Sequence, residues 1–445
     1  MVNSNKLEKY GITINEQHNV SINYNRFVTY FLKTNILLYT KIGWFYLYKD
    51  GIYQRMDEND LMRLIKAIID ELIPEKWKNS YGQRIINLLH IVVPKIDNMN
   101  ADMKHICLMN GILDINKNKL LPHSSKYYLS TMLPIEYDSE ARCPRFRKFL
   151  KQVFEGDKER IKLIQEWFGY CLTNSVSVQK CLFLLGAGAN GKSVLLEILI
   201  RLVGEDNLST LPLVDFESSF RRVALVDRKI NVVTEGGFKV NRLNTNQLKA
   251  VIAGDNIMAE IKGGNTFNFK PYCKVIAALN NMPRVSDTSH GFRRRICLVT
   301  FDKVFKPDEQ NKNLVEELTE ELSGILNFSL KGLERLKKND FNFTEPSKCK
   351  EALNQYFEYN NPLNVFVKSK LRAADIKFKI KNSELHKSYL KWCKERHINV
   401  DACDRLQFIH DIKEELKMQD INFEVGISNG QRHIKGIRFK NISES

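Results

Sequence analysis

Apolar positions along this chain switch between period two, helical spacing and short unbroken runs, and each switch predicts an element. Stretches 39–48 and 52–55 alternate as two strands joined by the turn Asp50-Gly51. Helical spacing follows over 58–72 and 80–89. The aromatic group Trp44, Phe45, Tyr46, Tyr48 and Tyr53 falls at strand spacing, which suits core and hairpin surface better than base stacking. After a hairpin over 107–121, Pro144 opens a helix carrying Phe146, Phe149, Leu150 and Val153. A second helix over 158–172 puts Ile161, Ile164, Trp167 and Phe168 on one face. Runs at 181–185, 229–235 and 274–279, and a last one after Arg295, read as buried strands, with the short run 223–226 just before the second. Between them lie a helix over 246–252 and a hairpin over 257–269. A helical bridge over about 310–360 leads to a helix capped by Ser383, a helix over 405–418 and a basic hairpin over 423–440. Strands alternating with helices through the middle predict a multidomain α/β protein with a parallel sheet.

The run Cys181 to Leu185 ends at Gly186, and Gly186, Gly191, Lys192 and Ser193 then satisfy G-x-x-x-x-G-K-[ST]. Val194, Leu195, Ile198 and Leu202 continue at helical spacing, so the motif has its strand, loop and helix. Backbone N–H groups of 188–193 can wrap a β-phosphate because glycine lets the chain approach closely. The helix N-terminus adds unpaired donors and partial positive charge. Lys192 reaches the β/γ-oxygens and the Ser193 hydroxyl holds Mg²⁺ in such loops. A nucleotide site is therefore expected at Gly186, Gly188, Asn190, Gly191, Lys192 and Ser193, with ATP and Mg²⁺ as cofactors.

Two further runs end in polar groups suited to the same site. Run 229–235 ends at Glu235 before Gly236-Gly237, where a carboxylate can orient water and contribute to the Mg²⁺ site. Run 274–279 ends at Asn280, an amide that can polarise a γ-phosphate or place the water. The cluster Arg293-Arg294-Arg295 precedes the last run and can supply an arginine finger to a neighbouring subunit, or clamp a nucleic-acid backbone.

Composition narrows the partners. The 445 residues carry net charge +16, with 43% hydrophobic and 27% charged residues. This surplus favours a polyanionic partner, nucleic acid above all. No apolar run reaches membrane-spanning length and the first residues lack an apolar signal segment, so a cytoplasmic protein is expected. The nine scattered cysteines fit a reduced compartment. Cys393, His397, Cys403 and His410 match no familiar zinc spacing.

The order of these motifs over about 105–305 resembles the superfamily 3 helicases, an AAA+ branch, and more narrowly the helicase part of phage, plasmid and poxvirus primase-helicases. The resemblance rests on 133–137 with 144–146, Gln165-Glu-Trp-Phe-Gly-Tyr170, the Gly186–Ser193 loop, Asn231-Val-Val-Thr-Glu235, Ala253-Gly-Asp-Asn-Ile257, Ala278-Leu-Asn-Asn-Met-Pro-Arg284 and Arg294-Arg295 before Phe301. It implies that Glu235 is the Walker B acid, Asn280 sensor 1 and Arg294 the arginine finger, with Arg295 a close second. It places Lys262 on a hairpin that reaches into a ring's central pore and tracks DNA. Thr234 stands where many relatives carry a second acid. A hexameric ring, 3′-to-5′ movement and kinship with replication initiators of phage satellites and pathogenicity islands are further implications. Priming is not expected, because the first 105 residues hold no catalytic carboxylate pair.

The expected layout is a mixed N-terminal domain (1–105), a helical collar (106–175), an AAA+ P-loop ATPase with a parallel sheet (176–330), a helical linker (331–365) and a winged-helix-like domain (366–445). In the last, a helix would enter a DNA groove while Arg432, His433, Lys435 and Arg438 contact phosphates or the minor groove. The sequence thus points to an ATP-driven helicase and replication initiator with host replication proteins as further partners. The alternatives are an ATP-switched origin-binding protein that recruits another helicase, and a small-molecule kinase, which leaves the hairpin and arginine cluster unexplained.

Overall fold

The unbroken apolar runs pair side by side in the computed structural model, which describes residues 4–234, 243–261, 264–283, 285, 287, 289–396, 398, 404–428 and 430–440. Strands β1 (Cys181–Leu185), β2 (Leu208–Ser209), β3 (Ile230–Val233), β4 (Lys274–Leu279) and β5 (Ile296–Thr300) form one sheet in the order β2-β3-β4-β1-β5. Every pairing is parallel. All residues of β3 and β4 are buried, as expected for strands covered on both faces. The short run at 223–226 forms a 3₁₀ turn, Val223–Leu225, after a short helix, Ser219–Arg222. The buried Arg222 guanidinium fixes it there by donating to the carbonyls of Met258, Phe216 and Glu217.

Helices α1 (Pro144–Val153), α2 (Lys158–Leu172), α3 (Lys192–Val203) and α4 (Leu322–Lys338) share one apolar cluster with the sheet, joining Phe146, Trp167, Leu199, Ile276, Val299 and Leu326. Asp157 caps α2 through the backbone N–H groups of Glu159 and Arg160. Helices α2 and α4 approach at two glycines. A Cβ on Gly169 would lie 2.4 Å from the Ser329 carbonyl oxygen, and one on Gly332 2.0 Å from that of Gln165. Arg160, 1% exposed, reaches from α2 to Asp157 at 2.9 Å and to Asp302, just past β5, at 2.7 Å. A buried guanidinium with two carboxylates keeps its charge compensated, so it pins the helix to the strand end.

The chain divides into two units: Met1–Pro283 with Arg294–Cys349, and Arg284–Arg293 with Lys350–Ser445. In the first, the N-terminal part packs helices Tyr24–Thr34, Glu58–Leu72 and Asn79–Val92 on a four-stranded sheet. The Asp50-Gly51 turn has both residues at positive φ and closes a hairpin in which Lys49 pairs with Ile52. The expected single strand over 39–48 is two strands, Leu37–Thr40 and Phe45–Lys49. Gly43, at φ 97°, turns the chain between them, and its N–H donates to the Thr40 carbonyl. The hairpin over 107–121 is a three-strand meander, His105–Leu108, Gly111–Asp114 and Lys119–Leu121, extended by Met132–Leu133.

In the second unit, Pro362–Lys370, Leu371–Ala373, Lys379–Lys381, Asn382–Glu395 and Arg405–Met418 precede the strands Glu424–Ser428, Gln431–Lys435 and Ile437–Phe439. One core joins them, centred on Phe366, Leu385, Trp392, Phe408, Ile412 and Ile434. Ser383 lies inside the first turn rather than capping it, because the helix starts one residue earlier with Lys381 at the cap position.

At the β-strand N-terminal end of the main sheet, Lys229 and Lys274 are both buried. Lys229 donates to the Leu172 carbonyl at 3.1 Å and Asn174 Oδ1 at 2.8 Å. Lys274 donates to the carbonyls of Thr173 at 2.5 Å and Tyr272 at 3.0 Å, with its ammonium 4.9 Å from the Tyr170 ring centre. Burial lowers Lys229 to about 8, and burial together with the Lys229 charge lowers Lys274 to about 7.

Two outcomes follow from this packing. Gly332→Ala forces α2 and α4 apart against a backbone oxygen and should cost about 1–3 kcal/mol, read as a lowered thermal midpoint. The depressed lysines mean that the folded chain binds fewer protons than the unfolded chain between about pH 7 and the ordinary lysine value of 10.5. Stability therefore rises with pH through that window, and Lys274→Met should flatten the rise in unfolding midpoint between about pH 7 and pH 9.

Candidate functional site

Leu185, the last residue of β1, lies opposite Leu279 of β4 and Thr300 of β5, so three strands end level. The chain turns there into Gly186–Ser193. Gly186 has no room for a side chain: a Cβ would come within 2.5 Å of both Asn190 Nδ2 and the Phe301 carbonyl oxygen. Ala189 and Gly191 take positive φ, and the turn delivers Lys192 as the first residue of α3. A Cβ on Gly191 would also meet Val153 of α1 at 2.8 Å. The loop is braced from outside where Phe305 N–H donates to the Ala189 carbonyl at 2.8 Å.

Lys192 is 7% exposed, and its Nζ donates to the Gly186 carbonyl, to that of Ala187 at 3.0 Å and to Asn190 Oδ1 at 3.1 Å. Asn280 Oδ1, at the end of β4, is a further acceptor at 3.5 Å. Asn190 is buried, and its amide donates to the Ala187 carbonyl, so its side chain shapes the loop from within. Ser193 is exposed on the first turn of α3.

These groups line a cavity of about 1070 Å³ at the carboxyl ends of the strands, the place where open α/β sheets take ligands. Gly188, Asn190, Gly191, Lys192, Ser193 and Asn280, all expected from sequence, border it, and so does Thr234 at the end of β3. Gly186 supports the loop beneath. The arrangement offers the N-terminus of α3, the Lys192 ammonium and hard oxygen donors from Ser193, Thr234 and Asn280, a donor set suited to a phosphate chain with Mg²⁺. Sequence reasoning missed Arg145, Lys148 and Gln152, which also border the cavity from α1. Their signal was available, because 145, 148, 149 and 152 share one face at helical spacing.

Other expected residues lie elsewhere. Glu235 and Lys262 fall outside the described residues, although Thr234 and Ile261 stand next to them. Hairpin strands Ile257–Glu260 and Thr266–Phe269 form as expected. Arg294 and Arg295 precede β5, and both approach Gln179 Oε1, at 3.1 and 3.4 Å. They stand at the opposite sheet end from the phosphate loop, about 16 Å away by strand rise. Of the zinc candidates, Cys393 is buried in the core and His397 and Cys403 lie outside the described residues.

In the second unit, Lys379 stands directly opposite Lys435, with Lys381 on the same sheet face. Glu424, paired with Lys435 from the other side at 3.9 Å, offsets part of the repulsion, and Lys379 and Lys381 leave the face with a positive surplus. Arg432 is exposed and Arg438 is half-buried over the Phe378 ring. His433 departs from the expected surface role: it is 3% exposed, packed where Gly426 leaves room for it.

A sequence family described as "D5 N terminal like" matches residues 25–155, and "Family of unknown function (DUF5906)" matches residues 184–295. A relative from Acanthamoeba polyphaga mimivirus, "Putative helicase L207/L206", is 25% identical over 271 residues, covering 58% of this chain and 28% of the relative. The chain thus spans just over a quarter of the length of that curated relative. Among solved structures, the apo A form of the NrS-1 C-terminal region superposes with TM-score 0.54 at 15% identity, covering 92% of this chain and 97% of that one. A second apo A-form structure of that region, residues 305–718, gives 0.52 at 14% identity, covering 92% and 98%. These likenesses establish a shared fold.

Gly191→Ala should place a strained residue against Val153 and cost about 1–3 kcal/mol locally. The expected result is a thermal midpoint lowered by a few degrees and, by titration calorimetry at a temperature where the variant is folded, at least a roughly tenfold loss of ADP affinity.

Proposed function

We propose that this chain, which carries the D5-N-like and DUF5906 domains typical of superfamily 3 primase-helicases, is an ATP-driven DNA helicase and replication initiator of a virus or other mobile element. The observation that carries this reading is the meeting of Lys192 and Asn280 over one cavity, while Arg294 and Arg295 stand at the far end of the same sheet. Arginines so placed cannot serve their own phosphate loop. In a ring of AAA+ subunits they face the neighbour's γ-phosphate, which gives Arg294, or Arg295 beside it, the role of a finger.

Within one subunit, the loop N–H groups and Lys192 neutralise the β/γ-phosphate oxygens, and Asn280 orients the γ-phosphate and the attacking water. Glu235, one residue past Thr234, takes the proton from that water. Ser193 with Glu235 would hold Mg²⁺, which would supply positive charge to neutralise the phosphates. The hairpin at 257–269 carries Lys262 between its strands and grips one DNA strand in the pore. Helix Arg405–Met418 with the following hairpin forms a winged helix on duplex DNA, where Lys435 and Arg432 neutralise phosphates, with Lys379 and Lys381 beside them.

Strand displacement of a forked DNA substrate tests this directly. ATP-dependent unwinding by the full chain, absent in Lys192→Ala, is the expected result. Well-folded protein that hydrolyses ATP yet opens forks of neither polarity overturns it, in favour of an ATP-switched initiator that hands DNA to another motor.

A further inference from the structure

The cavity is far larger than a phosphate chain needs, and one wall of it has no assigned role. Helix α1 lies across the phosphate loop, with Phe149 and Val153 against Gly191. The same helix turns Arg145, Lys148 and Gln152 to the cavity, opposite Ser193 and Glu197 of α3. Gln152 follows Lys148 by one turn and Arg145 precedes it, so the three form a row leading away from the loop at about 5.4 Å per turn.

The charges around this row are mostly accounted for. Arg145 is paired with Glu320 at 2.8 Å. Glu197 is paired with Arg201 at 3.0 Å, Glu317 accepts from Asn311 at 2.9 Å, and Glu309 accepts from the Lys306 N–H at 2.9 Å. Lys192 is engaged by the loop carbonyls. Lys148 is exposed and, among the described residues, has no carboxylate within ion-pair distance. It is a cation facing a cavity whose acids already have partners, one helical turn along from the loop that cradles a β-phosphate.

We propose that Lys148 is a second cationic contact for the nucleotide, donated to its α-phosphate by the helix that covers the phosphate loop. The proposal rests on the ATP-site reading given above and adds a binding residue to it. Lys148 borders the same cavity as the loop, next in sequence to Phe149, which packs against Gly191, and a contact to the α-phosphate is the same in ATP and ADP. The covering helix thereby becomes part of the binding site.

Titration calorimetry of the full chain with ADP and with a non-hydrolysable ATP analogue, both with Mg²⁺, tests it. Lys148→Ala should weaken both nucleotides equally, by about tenfold or more. Lys148→Arg should keep most of the affinity, and Lys151→Ala, on the exposed side of the same helix, should match the wild type. Unchanged affinity in Lys148→Ala overturns the proposal, as does a loss confined to the ATP analogue, which would put the lysine at the γ-phosphate. If Lys192→Ala abolishes binding while Lys148→Ala does not, the ATP site stands and only this contact falls. If the wild type binds neither nucleotide, both fall.

Discussion

Parallel pairing of β1 between β4 and β5 is the constraint on which the rest of the molecule depends. Leu185 is level with Leu279 and Thr300, so the phosphate loop, Asn280 and Phe301 emerge side by side. Asn280 can then share the Lys192 ammonium, and Phe301 can press against Gly186 so closely that no side chain fits. A slip of one residue in either pairing would turn the alternate side chains of β1 to the wrong face and pull these groups apart. The same register sends Arg294 and Arg295 to the other end of the sheet, away from this chain's own phosphate loop.

The helices around the sheet hold that register. Gly169 and Gly332 let α2 and α4 meet almost backbone to backbone, and Arg160 ties α2 to the residues just beyond β5. Helix α1 packs on the loop itself through Phe149 and Val153. A change in the loop, such as one produced by a bound nucleotide, is therefore felt first by α1. That helix belongs to the region matched by the D5-N-like family, whereas the loop belongs to the region matched by the second family. The two matched regions meet at the cavity beside the phosphate loop.

Charge is distributed with the same economy. Two lysines are buried at the closed end of the sheet, satisfied by carbonyls and lowered by burial. The second unit sets Lys379 against Lys435, whose charge Glu424 on the next strand partly offsets at 3.9 Å. The excess positive charge of the chain thus has a structural share and a share left for partners.

The loop motif, its flanking strand and helix, the run ending at Asn280, helix 158–172 and the hairpin at 257–269 were legible in sequence, because each depends on local periodicity or on a contiguous spacing. The turn at Gly43 was misread, since one glycine inside an aromatic alternation gives no local sign that φ must be positive. The short run 223–226 is held as a turn by the buried Arg222, which reaches the nearby carbonyls of Phe216 and Glu217 and the distant one of Met258. His433 read as a surface base beside Arg432 and Lys435; only the space opened by Gly426 on the neighbouring strand decided that it is buried. Lys148 stood on an ordinary polar helix face until packing laid that face across a phosphate loop more than forty residues away. Sequence determined which backbone groups can cradle a phosphate, because that chemistry is written within eight consecutive residues. Tertiary structure decided what stands around them, because burial and charge pairing depend on segments that meet only after the chain has folded.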